Sequence, residues 1–591
     1  MQDDFTVFWR NNERAYDLFY DLLARAEKEE YDDDFLAQLA AYRGAAPESE
    51  NADIFAAQYL LAYGDAETAL VCGERAYARR PVSHAVWQAL ATAYKKVGRE
   101  LDAITMQGYI HGLYPTEQLH LTLPKNNQRA ALDRFSLAAN NTPYAPLVKK
   151  RAFIKNSELQ FEPDIFVGEE IPLAYDADDV RHWVAIYVDE GYLSTMAWVH
   201  EPMRHDLGFF LSNRDVTFDI QRAAEHQGSV TISLPENVPL AVPVAGTESC
   251  QGFSIQTAAN EYPGYLGKWA FSYFRLDETA TLRSEAPFAV GTPICLGHSP
   301  QRKKLVLNLL IDGLCRPAIR NLFDTYMPRI AAFFVRGVIF ENHFSASEHT
   351  LPSIPSIETG RYSHHTQIFH ERHNHELPPS VRTIAEEMRD FGYYCSAPLI
   401  TGQTLYDGVY RGYSRLISNH GFTPAYEGTE RTIRILTALP EADHFMLYHT
   451  QDVHPLNIQT PLKFSTATEV SVPLADRFVP LDPSLPSVRT PYLPIYLKQL
   501  RVSLQSIDRS VGALLSHIEE HYREDEYIVN LYSDHGCGLF DPHTRTREVD
   551  LVGAYATGAV WMMRGAGVPE GVRVQDLTSS VDIFPTLGAL C

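Results

Sequence analysis

The chain has 591 residues, 45% hydrophobic and 21% charged, ordinary values for a folded protein and more than one core can hold; at about 150 residues per domain, about four domains are expected. With 51 Lys+Arg against 74 Asp+Glu the formal charge is −23, which repels polyanions and argues against nucleic-acid binding, yet leaves room for one small anionic ester gripped by a metal. No run reaches the about 18 apolar residues of a membrane span, so no integral membrane segment is expected. The opening MQDDFTVFWRNNERAYDLFY carries early acids and no unbroken apolar core, unlike a secretory signal. Seven scattered cysteines without a CxxC pair point to a reducing, cytoplasmic compartment.

An internal repeat comes first in chain order. Laying residues 53–81 over 87–115 pairs Gly64 with Gly98, Ala69 with Ala103, Leu70 with Ile104 and Pro81 with Pro115, all at an offset of 34. That period and the pattern of residues 87–115 resemble the tetratricopeptide repeat, although two ordinary helical hairpins would give a similar signal. A stable stack needs about three units. Phe19, Leu22, Leu23, Phe35, Leu36 and Leu39, within residues 5–45, are expected to supply the missing helices. Residues 1–120 are therefore expected to form a tetratricopeptide-like helical domain that binds a protein partner or packs on its own enzyme.

Between 150 and 300 the texture changes to alternating stretches such as HWVAIYV (182–188), STMAWV (194–199) and SVTISL (229–234). Their two-residue period predicts half-buried strands in a β-sandwich-like domain without a catalytic cluster. From 303 the pattern shifts again. KKLVLNLLIDGL is a continuous apolar run ending in Asp312-Gly313, as expected of a buried parallel strand with a polar residue at its carboxyl end. EDEYIVNLYSDHG (524–536) repeats that design and ends in Asp534-His535. Helical patterns, SVRTIAEEMRDFG (380–392) and residues 497–522, lie between them. Residues 303–591 thus predict an α/β domain on a mainly parallel sheet.

Two strand ends offering Asp312 and Asp534-His535 suggest a divalent metal, since carboxylates and an imidazole suit manganese, zinc or a similar ion. Between them His343, His349, His364, His365, His370, His373 and His375 put seven of the chain's 23 histidines into residues 343–375. Within that segment stands HTLPSIPS (349–356), followed by ETGRY (358–362). Here the chain resembles the sulfatase family of the alkaline phosphatase superfamily, in which a nucleophile, a Pro two residues on, a Ser after it and a TGRY-like end form one signature. LYHTQDVHPL (447–456), SDHG (533–536) and the tail at 561–590 resemble further blocks of that family, colinear over 303–591.

The resemblance implies that Asp312, Thr350, Asp534 and His535 are metal ligands and that Thr350 is also the nucleophile. A metal suits that role, because coordination lowers the pKa of a hydroxyl that is otherwise a weak nucleophile. It implies one divalent ion, manganese or zinc, with calcium or magnesium as alternatives. His449, His454 and His543 are candidates to hold the transferred group or protonate the leaving oxygen. Asp452 with His454 is the only opening for a second metal.

The chain departs from the sulfatase pattern in three places. Thr350 stands where sulfatases carry a Cys or Ser that is oxidised to formylglycine, Ile354 stands where an Arg is expected, and Asp312 is single where two successive aspartates are usual. Threonine at this position resembles the phosphoglycerol and phosphoethanolamine transferases and nucleotide phosphodiesterases of the superfamily. The expected function is a metal-dependent hydrolase or transferase acting on a phosphate ester of a small molecule or glycan. A sulfuric ester hydrolase, and a partner-binding repeat protein with an inactive sulfatase-like domain, are the alternatives.

Overall fold

A computed structural model describes residues 12–114, 121, 123–124, 128–139, 148–155, 158–165, 167–171, 180–188, 217–235, 238–369, 377, 380–401, 409–419, 423–454, 465–477, 494–541 and 553–591. The stretch STMAWV, residues 5–11 and the histidines at 370, 373, 375 and 543 lie outside the described residues.

Six helices open the chain: α1 (Glu13–Ala26), α2 (Asp33–Ala45), α3 (Asn51–Ala62), α4 (Ala66–Arg79), α5 (His84–Lys96) and α6 (Glu100–Leu113). The ends of α3 and α4 recur 34 residues later in α5 and α6, and the turns share a left-handed glycine, Gly64 at φ 84° and Gly98 at φ 82°. Side-chain caps start α1, α2 and α4, where Asn12, Asp32 and Asp65 accept backbone N–H groups three residues on. One buried carboxylate ties the stack together. Asp53 of α3 accepts from Arg43 of α2 at 2.9 Å and from Arg75 of α4 at 2.7 Å, with Arg79 at 3.4 Å. Helix α7 (Gln128–Ala139) follows, then a separate antiparallel hairpin of β1 (Val148–Lys155) and β2 (Glu158–Ile165).

Among the described residues all remaining strands hydrogen-bond into one mixed sheet of 16. Its first part holds β3 (Arg181–Ile186), β4 (Thr217–Ile232), β5 (Leu240–Gly246), β6 (Gln251–Gln256), β7 (Glu261–Leu266), β8 (Ser272–Leu276), β9 (Ala280–Gly291) and β10 (Ile294–Cys295), paired antiparallel. Its second holds β11 (Leu305–Ile311), β12 (Val338–Phe344), β13 (Tyr394–Thr401), β14 (Arg415–Asn419), β15 (His444–Thr450), β16 (Tyr527–Tyr532), β17 (Trp561–Gly565) and β18 (Val572–Ser579). The order runs β4-β14-β13-β15-β11-β16-β17-β12-β18 across this second part.

Among the strands of 303–591 five ladders are parallel and two antiparallel, and the sheet as a whole is mixed for two reasons. Strand β17 runs antiparallel between β16 and β12. Strand β4 is long enough to pair with β9 through one half and antiparallel with β14 through the other. A buried ion pair, Arg415 to Asp219 at 2.8 Å, fastens that seam. The strands expected as a sandwich therefore continue the sheet that carries the polar strand ends.

The central strands are covered on both faces, which explains their unbroken apolar runs. Leu305, Leu307, Leu309 and Ile311 of β11 face one core, with Leu504, Ile507, Val511 and Leu514 of the helix Pro494–His521. Val306 and Leu310 face the other, with Ile354 and Ile357 of the helix Thr350–Thr359, Met388 of the helix Ile384–Asp390 and Leu587 of the helix Ile583–Leu590.

Candidate active site

Three neighbouring parallel strands, β15, β11 and β16, end side by side. Leu310 sits opposite His449 on one flank and Tyr532 on the other, so the residues that follow emerge at one edge of the sheet. Asp312 leaves β11 there, fully buried, and its N–H donates to the Thr450 carbonyl at 2.9 Å. Asp534 and His535 leave β16 beside it, both fully buried. Thr350 opens the ten-residue helix Thr350–Thr359, so its hydroxyl and the positive end of the helix dipole meet the same place. Pro352 falls in the first turn, where its missing N–H has no intrahelical partner to lose.

The geometry joins the four residues implied as ligands. The Thr350 hydroxyl lies 3.3 Å from Asp312 Oδ1, to which it donates, and 3.2 Å from His535 Nε2. His535 Nε2 is 3.4 Å from Asp312 Oδ1 and 3.6 Å from Asp534 Oδ2. Its other nitrogen bonds the Gly536 carbonyl, which places the proton on Nδ1 and leaves Nε2 facing the cluster. Asp534 Oδ1 accepts from the backbone N–H groups of Gly313 and His535, each at 3.0 Å.

The donor set fits a divalent ion on one observation. Asp534 Oδ2 is buried and accepts no hydrogen bond, a state that a carboxylate oxygen reaches only at high cost unless a cation meets it. One ligand atom from each of Asp312, His454 and His535 lies within 4.8 Å of the others. Charge follows the same arrangement. Burial works against the Asp312 carboxylate, but the imidazoles of His454, His449 and His535 outweigh it and hold the carboxyl well below its usual range. Burial likewise lowers His535, yet Asp534 and Asp312 prevail and carry it up to about 9. Two carboxylates in a dry site draw whatever positive charge is within reach.

The three candidate histidines separate. His449 is fully buried at the end of β15 and donates through Nε2 to Asp312 Oδ2 at 3.0 Å, where Gln451 also donates at 3.3 Å. It therefore orients a carboxylate rather than facing the space beside Thr350. His454, just past β15, stands 3.8 Å from Asp312 Oδ1. His543 lies outside the described residues. Asp452 Oδ2 accepts from the Ala425 N–H at 2.6 Å and the Thr450 hydroxyl at 2.5 Å, so that oxygen is held at the start of the helix Ala425–Ala438. His343 is a core residue bonded to the Thr578 hydroxyl, and burial lowers its pKa to about 3. Gln451 went unread in the sequence. Its signal was there, a polar side chain two residues past His449 at the same strand end.

The sulfatase family model matches residues 318–591, beginning just after Asp312. No curated protein matches the sequence. Among solved structures the chain is similar to the phosphonate monoester hydrolase of Silicibacter pomeroyi, with 18% identity over 48% of this chain and 72% of that one and a TM-score of 0.37. It is also similar to the phosphonate monoester hydrolase of Agrobacterium radiobacter, with 17% identity over 49% of this chain and 73% of that one and a TM-score of 0.36. A protein solved with its substrate D-glucosamine-2-N,6-O-disulfate is similar at 13% identity over 49% of this chain and 76% of that one, TM-score 0.36. Among the described residues no helix is long and apolar enough to cross a membrane.

Proposed function

We propose that residues 303–591 form a metal-dependent hydrolase or transferase that cleaves a phosphate ester through Thr350. The observation that carries this is the Thr350 hydroxyl, buried at a helix N-terminus within 3.3 Å of Asp312 Oδ1 and 3.2 Å of His535 Nε2. Asp312, Asp534 and His535 would hold one divalent ion, with the Thr350 oxygen beside it. Such an ion lowers the pKa of an adjacent hydroxyl and offsets charge on a phosphoryl group.

The residues of the chain do the rest. Thr350 gives up its hydroxyl proton and Oγ1 attacks phosphorus, forming the Oγ1–P bond as the bond from phosphorus to the leaving oxygen breaks. The leaving alkoxide takes up a proton. Water, or the hydroxyl of an acceptor, then cleaves the Oγ1–P bond and restores Thr350. Backbone N–H groups of the first helical turn favour the anion, while His449 and Gln451 keep Asp312 in place. A threonine cannot become an aldehyde, which supports phosphate over the formylglycine route to sulfate. Residues 1–120 are proposed as a tetratricopeptide-like module for a protein partner, and 150–300 as an accessory β-rich region.

Thr350→Ala should lower turnover of aryl phosphate mono- and diesters by about four or more orders of magnitude, as for other lost nucleophiles. Thr350→Ser should keep partial activity. Enzyme trapped with substrate should carry phosphate on the Thr350 peptide. Near-normal rates in Thr350→Ala, or faster turnover of aryl sulfates than of phosphates, would sink the proposal.

A further inference from the structure

Among the described residues His454 stands at the cluster with no hydrogen bond to its ring. Its Nδ1 is buried without a partner, and its Nε2, 3.8 Å from Asp312 Oδ1, is beyond hydrogen-bond reach. No hydrogen bond fixes the ring among the described residues, yet only 14% of the side chain is exposed. The backbone at Gly313 lies against it. Gly313 adopts φ 70°, a left-handed conformation, and a Cβ there would stand 3.4 Å from His454 Cδ2 and 3.6 Å from His535 Cε1. The two rings thus close on the chain at 313 with their centroids 5.8 Å apart and their planes at 85°.

The spacing is that of ligands awaiting a common centre. Asp312 Oδ1 lies 3.4 Å from His535 Nε2 and 3.8 Å from His454 Nε2, and the Thr350 oxygen lies 3.2 Å from His535 Nε2. Bonds of about 2.0–2.2 Å to nitrogen and oxygen put neighbouring ligands of a five-coordinate ion about 2.8–3.8 Å apart. Asp534 Oδ2, without a hydrogen bond, faces the same space at 3.6 Å from His535 Nε2.

We propose that His454 is itself a ligand of the divalent ion, joining Asp312, Asp534, His535 and Thr350, and that its imidazole selects zinc or a similar transition ion over calcium and magnesium. This rests on the metal-dependent reading above and adds to it which residues would hold the ion and which class of ion they would take. Imidazole suits zinc, whereas calcium and magnesium take oxygen ligands. A nitrogen that gives its lone pair to a metal has none left for proton transfer, so His454 drops out as the general acid.

The test uses the full chain, stripped with a chelator and reloaded with zinc, manganese, calcium or magnesium. Bound metal is counted by elemental mass spectrometry, affinities come from competition with a chromophoric chelator, and X-ray absorption of the zinc-loaded protein counts imidazoles. One zinc with two imidazoles is expected, preferred over calcium and magnesium. In His454→Gln one imidazole should vanish, and zinc affinity should fall by more than the about 10–100-fold typical of outer-shell losses, with calcium and magnesium affinities changing less. The wild-type spectrum decides even if the variant fails to fold. A single imidazole in the wild type, or unchanged zinc affinity in His454→Gln, would overturn the role of His454 and leave the metal-dependent reading standing. A wild-type protein that takes up no ion would overturn both.

Discussion

The helix that presents Thr350 also buries a carboxyl, Glu358, for which the described residues offer no cation partner. Glu358, one residue from the end of that helix, is 4% exposed, and its Oε2 has no hydrogen bond. Burial alone raises its pKa from 4.5 to about 8. The folded chain therefore keeps a proton that the unfolded chain releases near pH 4.5. Because the native state binds more protons across that interval, stability is full below about pH 4.5, declines as the pH rises through about 8, and is flat above. Between 4.5 and about 8, at about 1.36 kcal/mol per pH unit, the decline reaches about 5 kcal/mol. That is an upper figure, since an ionised Glu358 would draw in water or shift its helix.

Glu358→Gln removes the ionisation and keeps the shape. At pH 5 its stability should be close to that of the parent chain. At pH 9 it should exceed the parent by a few kcal/mol, up to the about 5 kcal/mol that the shift allows. Urea unfolding followed by circular dichroism at pH 5, 6, 7, 8 and 9 reads the difference directly. The same helix carries Thr350, the proposed nucleophile, so the variant should also keep its turnover to higher pH than the parent chain. A stability difference that stays constant from pH 5 to pH 9 would refute the reasoning, because it would mean that Glu358 does not titrate between the folded and unfolded states.

Asp534→Asn should lower metal content and turnover together, since it removes a buried carboxylate oxygen that has no hydrogen bond and lies beside His535 Nε2; elemental analysis of the purified variant checks this. His449→Ala should retain metal but bind it about 10–100-fold more weakly, the usual effect of losing a group that orients a ligand, with the shape of the pH–rate profile unchanged. Asp53→Ala leaves three guanidinium groups without their shared carboxylate. The arginines are half-exposed and can turn to water, so a loss of about 1–3 kcal/mol in the helical module is expected, seen as an earlier first transition on heating the full chain.

Local signals were legible wherever burial or a turn imposes a period. The offset of 34 reappears in the helix ends because the left-handed glycine turn recurs between α3 and α4 and between α5 and α6. The run KKLVLNLLIDGL became β11, apolar on both faces, because helices cover both sides of it. What escaped depends on register between distant strands. Nothing in the local pattern of 217–232 reveals that half of β4 pairs with β14, nearly two hundred residues on. The histidine-rich stretch misled in part, since His343 belongs to the core beside Trp561, and His364 and His365 follow the far end of the helix from Thr350.

The contrast between His449 and His454 shows where sequence reading stops. Five residues apart in LYHTQDVHPL, they are chemically equal candidates on paper. His449 is still inside β15, locked in register with Leu310, so its ring can reach only the flank of Asp312 and donates to Oδ2. His454 comes after the strand has ended and turned, with its N–H on the Gln451 carbonyl at 3.0 Å, and that turn swings its ring over Gly313 to the opposite oxygen of the same carboxylate. One imidazole thus orients Asp312 from behind while the other approaches from the side of Thr350. Which of two histidines faces the reaction is decided by where the strand stops, a tertiary fact that residue type and spacing do not carry.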